Sequence, residues 1–161
     1  MAQNLNYDVG ESVCYQGYSS NCTTYGRLYT LADAEKACPV GWHIPTMSEW
    51  STLINLAKEG VYSKGKPGYK LKSKTGWSDY TYFGDLEDDR DGFGFSALPA
   101  GSGDNTGLFA DIGHRTCFWG KTLNSGSAYA YLACVQDSND DASMETQLIN
   151  YKFSARCIQD D

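Results

Sequence analysis

Six cysteines at wide, irregular spacing constrain this chain more than any other feature: Cys14, Cys22, Cys38, Cys117, Cys134 and Cys157. None forms a C-x-x-C pair, and only His43 and His114 accompany them, so zinc-finger and zinc-ribbon spacings are absent. An even count without metal spacing reads as three disulfides, which require an oxidising compartment. Six cysteines allow fifteen connectivities, and the sequence does not choose among them. Short spacing suits Cys14 and Cys22 to a local clip. Cys117 and Cys134 flank strand-like segments that a bridge would staple. Cys38 and Cys157 are then left to tie an early helix to the last strand. Residues 1–10 show no basic start followed by an apolar run, so an oxidised chain implies an export signal already removed and a Met1 that is not the native start. Asn21-Cys22-Thr23 is a formal glycosylation sequon, relevant only in a host that glycosylates.

The 161 residues suggest one domain, 1–161, long enough to bury a core. Hydrophobic residues at 41% and a mean hydropathy of −0.48 place the chain among globular proteins. No run of about 18 apolar residues exists, so no membrane-spanning helix is expected. Thirteen Lys and Arg against 20 Asp and Glu give a net charge of −7, which argues against a nucleic-acid partner. The one dense basic stretch is Lys64, Lys66, Lys70, Lys72 and Lys74. Gly and Pro interrupt it, and it reads as a solvated loop. Twelve Tyr, six Phe, four Trp and 17 Gly favour short strands and long structured loops over a helical bundle.

Residues 1–29 read as loop and short strand. Thr30 then caps a helix with Asp33 at its third position; Leu31, Ala34 and Cys38 share one face, and Pro39 and Gly41 end it. A second helix starts at the capping box Thr46-Met47-Ser48-Glu49, buries Trp50, Leu53, Ile54 and Ala57, and stops at Gly60. Residues 61–92 lack helical period. Phe93, Phe95 and Ala97 alternate as in a short strand before Pro99-Ala100-Gly101 turns the chain. Residues 101–115 read mostly as loop, and 116–119, 128–135 and 148–158 as strands. Residues 124–126 and 137–141 read as turns or loops. The expected class is α+β, with two early helices before a loop-laden antiparallel sheet.

Longer words carry a family resemblance. Tyr25-Gly26-Arg27-Leu28-Tyr29-Thr30, then Ala37-Cys38-Pro39-x-Gly41-Trp42-His43-x-Pro45 and Glu49-Trp50, resemble the Fibrobacter succinogenes major paralogous domain. So do Gly94-Phe95-Ser96-Ala97-Leu98-Pro99-Ala100-Gly101, Phe118-Trp119, Arg156-Cys157-Ile158 and the opening Met1-Ala2-Gln3-Asn4-Leu5-Asn6-Tyr7. The opening is similar to a family segment that carries a Trp before the Met, and one or two preceding strands of the family are expected to be missing here. The resemblance implies a C-type-lectin-like domain: two early helices packed on a twisted antiparallel sheet with long loops, three disulfides, and a cysteine at the end of the first helix joined to one in the last strand. It implies an extracellular or cell-surface location and adhesion to plant-fibre polysaccharide. The same family is more distantly similar to the formylglycine-generating-enzyme fold.

Four kinds of site follow as candidates. Trp77, Tyr80, Tyr82, Tyr62 and Tyr69 supply rings on which the C–H faces of sugars stack, unless they fill the space beneath the loops. Trp42, Trp50 and Trp119 lie in motif positions and are expected in the core. Asp85, Glu87, Asp89 and Asp91 supply hard oxygen ligands for calcium, although Leu98 stands where an EF-hand needs its bidentate Glu. The sugar-binding motifs of calcium-dependent C-type lectins are absent, so a calcium-bridged sugar is not supported even if calcium binds. His43 and His114 have no nucleophile at a recognised spacing; His43 is expected to be a structural hydrogen-bonder. Trp42–Thr46 and Glu49-Trp50 resemble R-L-P-T-x-x-E-W of formylglycine-generating enzymes, whose late cysteines hold copper, but no R-G-G-S-[FW] segment precedes the late cysteines here. The expected function is a non-catalytic binding or adhesion module at a bacterial surface, with a polysaccharide or a surface protein as partner and no cofactor other than a candidate calcium. A structural or protein-binding subunit of a surface assembly, formed by self-association, is the alternative. An oxidase is the remote one.

Overall fold

The computed structural model describes residues 1–59, 66–78, 90–122 and 126–161. Among these residues four α-helices come first: α1 (Ser19–Tyr25), α2 (Leu31–Ala37), α3 (Met47–Lys58) and α4 (Pro67–Leu71). A two-residue strand, β1 (Trp42–His43), separates α2 from α3. The strands β2 (Ala100–Gly103), β3 (Phe109–Ile112), β4 (Arg115–Thr122), β5 (Tyr129–Gln136) and β6 (Ala142–Leu148) form one sheet in the order β3-β2-β4-β5-β6. The last strand, β7 (Ile158–Gln159), pairs with β1. The large sheet is antiparallel except for one parallel contact, Gly101 beside Thr116.

Strand alternation splits the core in two. Cys117, Trp119, Ala130, Leu132 and Cys134 face a cluster that holds Leu31 and Ala34 of α2 with Tyr29, Ile44 and Phe153. Phe118, Ala133 and Val135 face the opposite way, onto Trp50, Ile54 and Ala57 of α3 and Leu71 of α4. The sheet is thus covered on both faces, which is why β4 and β5 read as near-continuous apolar runs. Trp119 is fully buried, and its indole N–H donates to the Tyr29 carbonyl at 2.6 Å. Trp50 donates to the carbonyl of Trp119 at 3.2 Å and so fixes α3 on the sheet.

Local chemistry sets the two longer caps as expected. Thr30 accepts from the Asp33 N–H, and Thr46 and Glu49 form the reciprocal capping box. α1 breaks the expectation for residues 1–29. Its sequence, SSNCTTY, has no apolar period; the Cys14–Cys22 bridge and the Thr23 and Thr24 hydroxyls, which donate to carbonyls four residues back, hold it instead. The side-chain amide of Asn21 in the sequon donates to the Tyr15 carbonyl.

Four further expectations are corrected. The stretch 61–92, read as lacking helical period, contains the five-residue α4, which opens on Pro67 at its first position, so α1 and α4 add to the two expected helices. Residues 101–115 contain a hairpin, β2–β3, built on small residues: a Cβ on Gly101, which sits at φ +69°, would lie 2.5 Å from the Ala110 carbonyl. Phe93–Ala97 is not a strand. The Asp91 carboxylate accepts from both the N–H and the hydroxyl of Ser96, and Asp91, Gly94 and Ser96 all have positive φ, so the segment curls and only Ala97 bridges to Lys72. The stretch 148–158 is broken after Leu148, with single bridges from Lys152, Phe153 and Ser154 to three different partners.

The basic stretch is also corrected. Lys64 lies outside the described residues, but Lys70 and Lys72 are buried, and Lys72 is wholly so. The Lys72 ammonium donates to the carbonyls of Gln136 and Asn139 at 3.0 and 2.8 Å and meets Asp140 at 3.4 Å. Lys70 donates to the Glu59 carbonyl, and Lys66 meets the other oxygen of Asp140. These lysines tie α4 to α3 and to the loop after β5.

The disulfides are Cys14–Cys22, Cys38–Cys157 and Cys117–Cys134. Cys117 and Cys134 stand directly opposite each other on β4 and β5. Three bridges fit a secreted or extracellular protein. Among the described residues no helix is long and apolar enough to cross a membrane.

Candidate functional site

A groove of about 580 Å³ is lined by three segments distant in sequence. The first is the strap 2–6. Its Leu5 donates to the Ala155 carbonyl and accepts from the Arg27 N–H, so it lies between the end of the chain and the segment after α1. Gly26, at φ +79°, permits this approach, because a Cβ there would meet the Leu5 carbonyl at 2.7 Å. The second segment is the C-terminal half of α1, and the third comprises residues 73–75 with the curled loop 91–98.

Arg156 couples these segments. Its Nε donates to Asn4 Oδ1 at 2.8 Å, while its two Nη atoms donate to the Phe95 and Ser96 carbonyls. The guanidinium stacks on the rings of Phe95 and Phe118, 4.2 and 5.2 Å from their centroids. Burial pushes its pKa down to about 10, with the Asp91 charge opposing, so it stays charged at neutral pH. Asn4 relays the connection by donating to the Tyr25 carbonyl at 2.8 Å.

Gln3, Asn6, Thr23, Thr24 and Thr75 give the groove exposed amides and hydroxyls beside the exposed Ala2 and Lys74, and Tyr25 is the aromatic among the lining residues. Gln3, Asn6 and Tyr25 lie in the family words quoted above, but those words do not mark a groove, because the fold assembles it from segments separated along the chain.

A second cluster surrounds His43 on β1. Its Nδ1 lies 2.5 Å from Asp160 and its Nε2 3.0 Å from Glu49. Two carboxylates on two ring nitrogens call for two N–H donors, which is the imidazolium. The Asp160 hydrogen bond, aided by Glu49, raises the His43 pKa above its ordinary value against partial burial and the Lys121 charge. Burial of Glu49 opposes its ionisation, but the Thr46 N–H and hydroxyl and His43 outweigh this and hold its carboxyl below the usual range. A raised folded-state pKa stabilises the fold fully below about pH 6.5, the unfolded value, and that stabilisation disappears as pH rises through the folded value. The melting-temperature gap between the wild type and His43→Gln is therefore expected to be larger at pH 5.5 than at pH 9. An equal gap at both values would show that the cluster is not charged. His114 is exposed and meets Asp137 at 2.7 Å.

Of the five expected stacking residues, Trp77 and Tyr69 lie among the described residues. Trp77 is half-buried against the α3 cluster, with its indole N–H donating to Ser73 and Lys72 beneath its ring. Tyr69 is half-buried with the Arg90 guanidinium over its ring. Tyr62, Tyr80 and Tyr82 lie outside the described residues, as do Asp85, Glu87 and Asp89. Asp91 borders the groove, with both carboxylate oxygens engaged by Ser96. Trp50 and Trp119 are buried and Trp42 packs against the α2 cluster, as motif position implies.

Comparison with curated proteins and with solved structures returns no match. Comparison with family models matches residues 1–159, nearly the whole chain, to the Fibrobacter succinogenes major domain, and the chain belongs to that family.

Proposed function

We propose that this domain is a non-catalytic extracellular binding module with a C-type-lectin-like arrangement, and that it holds a polysaccharide in the groove joined by Arg156. The lining carries the reading. Exposed amides and hydroxyls on the groove segments match the donors and acceptors of a hydroxyl-rich chain, and Tyr25 offers the one aromatic surface. The disulfides support the non-catalytic side of it. All six cysteines are bonded to one another, which leaves no thiolate for a copper centre of the formylglycine-generating type. Calcium at Asp85, Glu87, Asp89 and Asp91 remains part of the proposal and is tested by chelation.

The test is retention of the purified oxidised domain on insoluble cellulose and xylan, with and without EDTA, beside Asn6→Ala/Thr75→Ala. These two exposed residues belong to different groove segments, and their loss spares the core. Retention by the wild type and about tenfold weaker retention by the double variant is the expected result, since two lost hydrogen bonds are together worth about 1–2 kcal/mol. Equal retention of both proteins would remove the groove from the reading.

A surface-assembly subunit is the second reading, favoured by β6. This seven-residue edge strand carries neither Lys nor Pro, the usual guards of an exposed edge. Light scattering separates the readings, because a monomer at high concentration argues against self-assembly.

A further inference from the structure

A smaller pocket of about 130 Å³ opens on the α2-facing side of the sheet and shares no lining residue with the groove. Register places Arg115 and Cys117 of β4, Leu132 of β5, and Glu145 and Gln147 of β6 on that one face. Leu132 and Phe153 supply apolar surface, and Ser102, Asp111 and Tyr151 complete the lining.

Its polar groups are largely unspent. Arg115 Nη2 donates to Glu145 Oε1 at 2.5 Å, and the Ser143 hydroxyl donates to the same oxygen at 2.8 Å. Arg115 lines the pocket, and its Nε is buried without a hydrogen-bond partner. Among the described residues, the side chains of Asp111, Ser102 and Tyr151 make no hydrogen bond. Gln147 uses its oxygen on the Leu148 N–H and keeps its amide donors. Asp111 also sits at φ +67°, a strained conformation for a residue other than glycine.

We propose that this pocket binds a single neutral pyranose unit. The Arg115 guanidinium offers N–H donors to a ligand oxygen, whereas the solvent-exposed Asp111 and the partly exposed Glu145 accept from ligand O–H groups. A sugar ring presents both on neighbouring carbons. The Tyr151 ring and the apolar residues suit its C–H face. One cation against two carboxylates leaves the pocket with charge −1, which disfavours a uronate. The proposal shares the ligand class of the groove reading but none of its residues, so the two can fail separately.

The experiment is an NMR titration of the whole domain with D-glucose, D-xylose and D-galactose, and with D-glucuronate as the anionic control. At least one neutral sugar should shift the Arg115 Nε–H and the amides of 145–147 saturably at millimolar concentration, with glucuronate about tenfold weaker or worse. Asp111→Asn, which tolerates the same backbone, and Tyr151→Phe, which keeps the ring, should each weaken those shifts about threefold to tenfold. Asn6→Ala/Thr75→Ala should leave them unchanged, so lost retention on polysaccharide with these shifts intact would overturn the groove alone. No saturable shift with any neutral sugar up to about 100 mM would overturn the pocket. So would glucuronate binding as tightly as the neutral sugars, or shifts unchanged in both pocket variants.

Discussion

Cys38→Ala/Cys157→Ala is expected to lose about 4–5 kcal/mol of unfolding free energy, the largest effect of any bridge removal in this chain. The bridge spans 119 residues, and the entropy of an open loop that long dominates the unfolded state. It joins the residue after α2 to the residue before β7, so its loss also frees the short β1–β7 pair. Domains of this size are stable by about 5–15 kcal/mol, and the variant is expected to be partly unfolded near body temperature. Cys14→Ala/Cys22→Ala, which opens an eight-residue separation, should lose only about 2–3 kcal/mol on the same reasoning. Urea unfolding of all three proteins under oxidising conditions checks the order. Equal losses for the two variants would refute the loop-length argument.

Arg156→Met is expected to lose about 3–5 kcal/mol and to loosen the groove. Methionine keeps much of the apolar stem against Phe95 and Phe118 but removes the donors that satisfy Asn4 Oδ1 and the carbonyls of Phe95 and Ser96. Each buried acceptor left without a partner costs about 1–3 kcal/mol, less whatever water recovers. Lysine should not rescue the site, because a single ammonium cannot reproduce a planar fork that meets three acceptors. Beyond lower stability, amide exchange at Leu5 and Arg27 should accelerate more than exchange in β5, since the strap depends on Asn4 and Asn4 on Arg156. Uniform acceleration across the molecule would show that Arg156 supports the core and not the strap.

The legible parts of the fold were those written in local sequence. Thr30 with Asp33, and Thr46 with Glu49, announce helices because capping is settled within four residues. The apolar runs of β4 and β5 announce strands because both faces of that sheet are covered. Elements held by partners far along the chain were not legible. α1 depends on a disulfide and on back-bonding hydroxyls, and the β2–β3 hairpin depends on the small Gly101 fitting under Ala110. The curl at 91–96 turns on one aspartate that bonds a serine five residues on, which no alternation of aromatics reveals. Lys70 and Lys72 misled for the same reason: a lysine looks solvated until the carbonyls that receive it are known. The groove was not legible as a site, because the family words around Asn6 and Arg156 do not show that the fold places them beside Thr75 in one concavity.

The long bridge has a consequence for wear. A single cut in the backbone anywhere between Cys38 and Cys157 leaves two pieces that remain one covalent molecule. A nick in the hairpin between β4 and β5 is spanned a second time, by Cys117–Cys134. A protein working among proteases, with no route back to a chaperone, can therefore be clipped in most of its loops and still be held as a single particle.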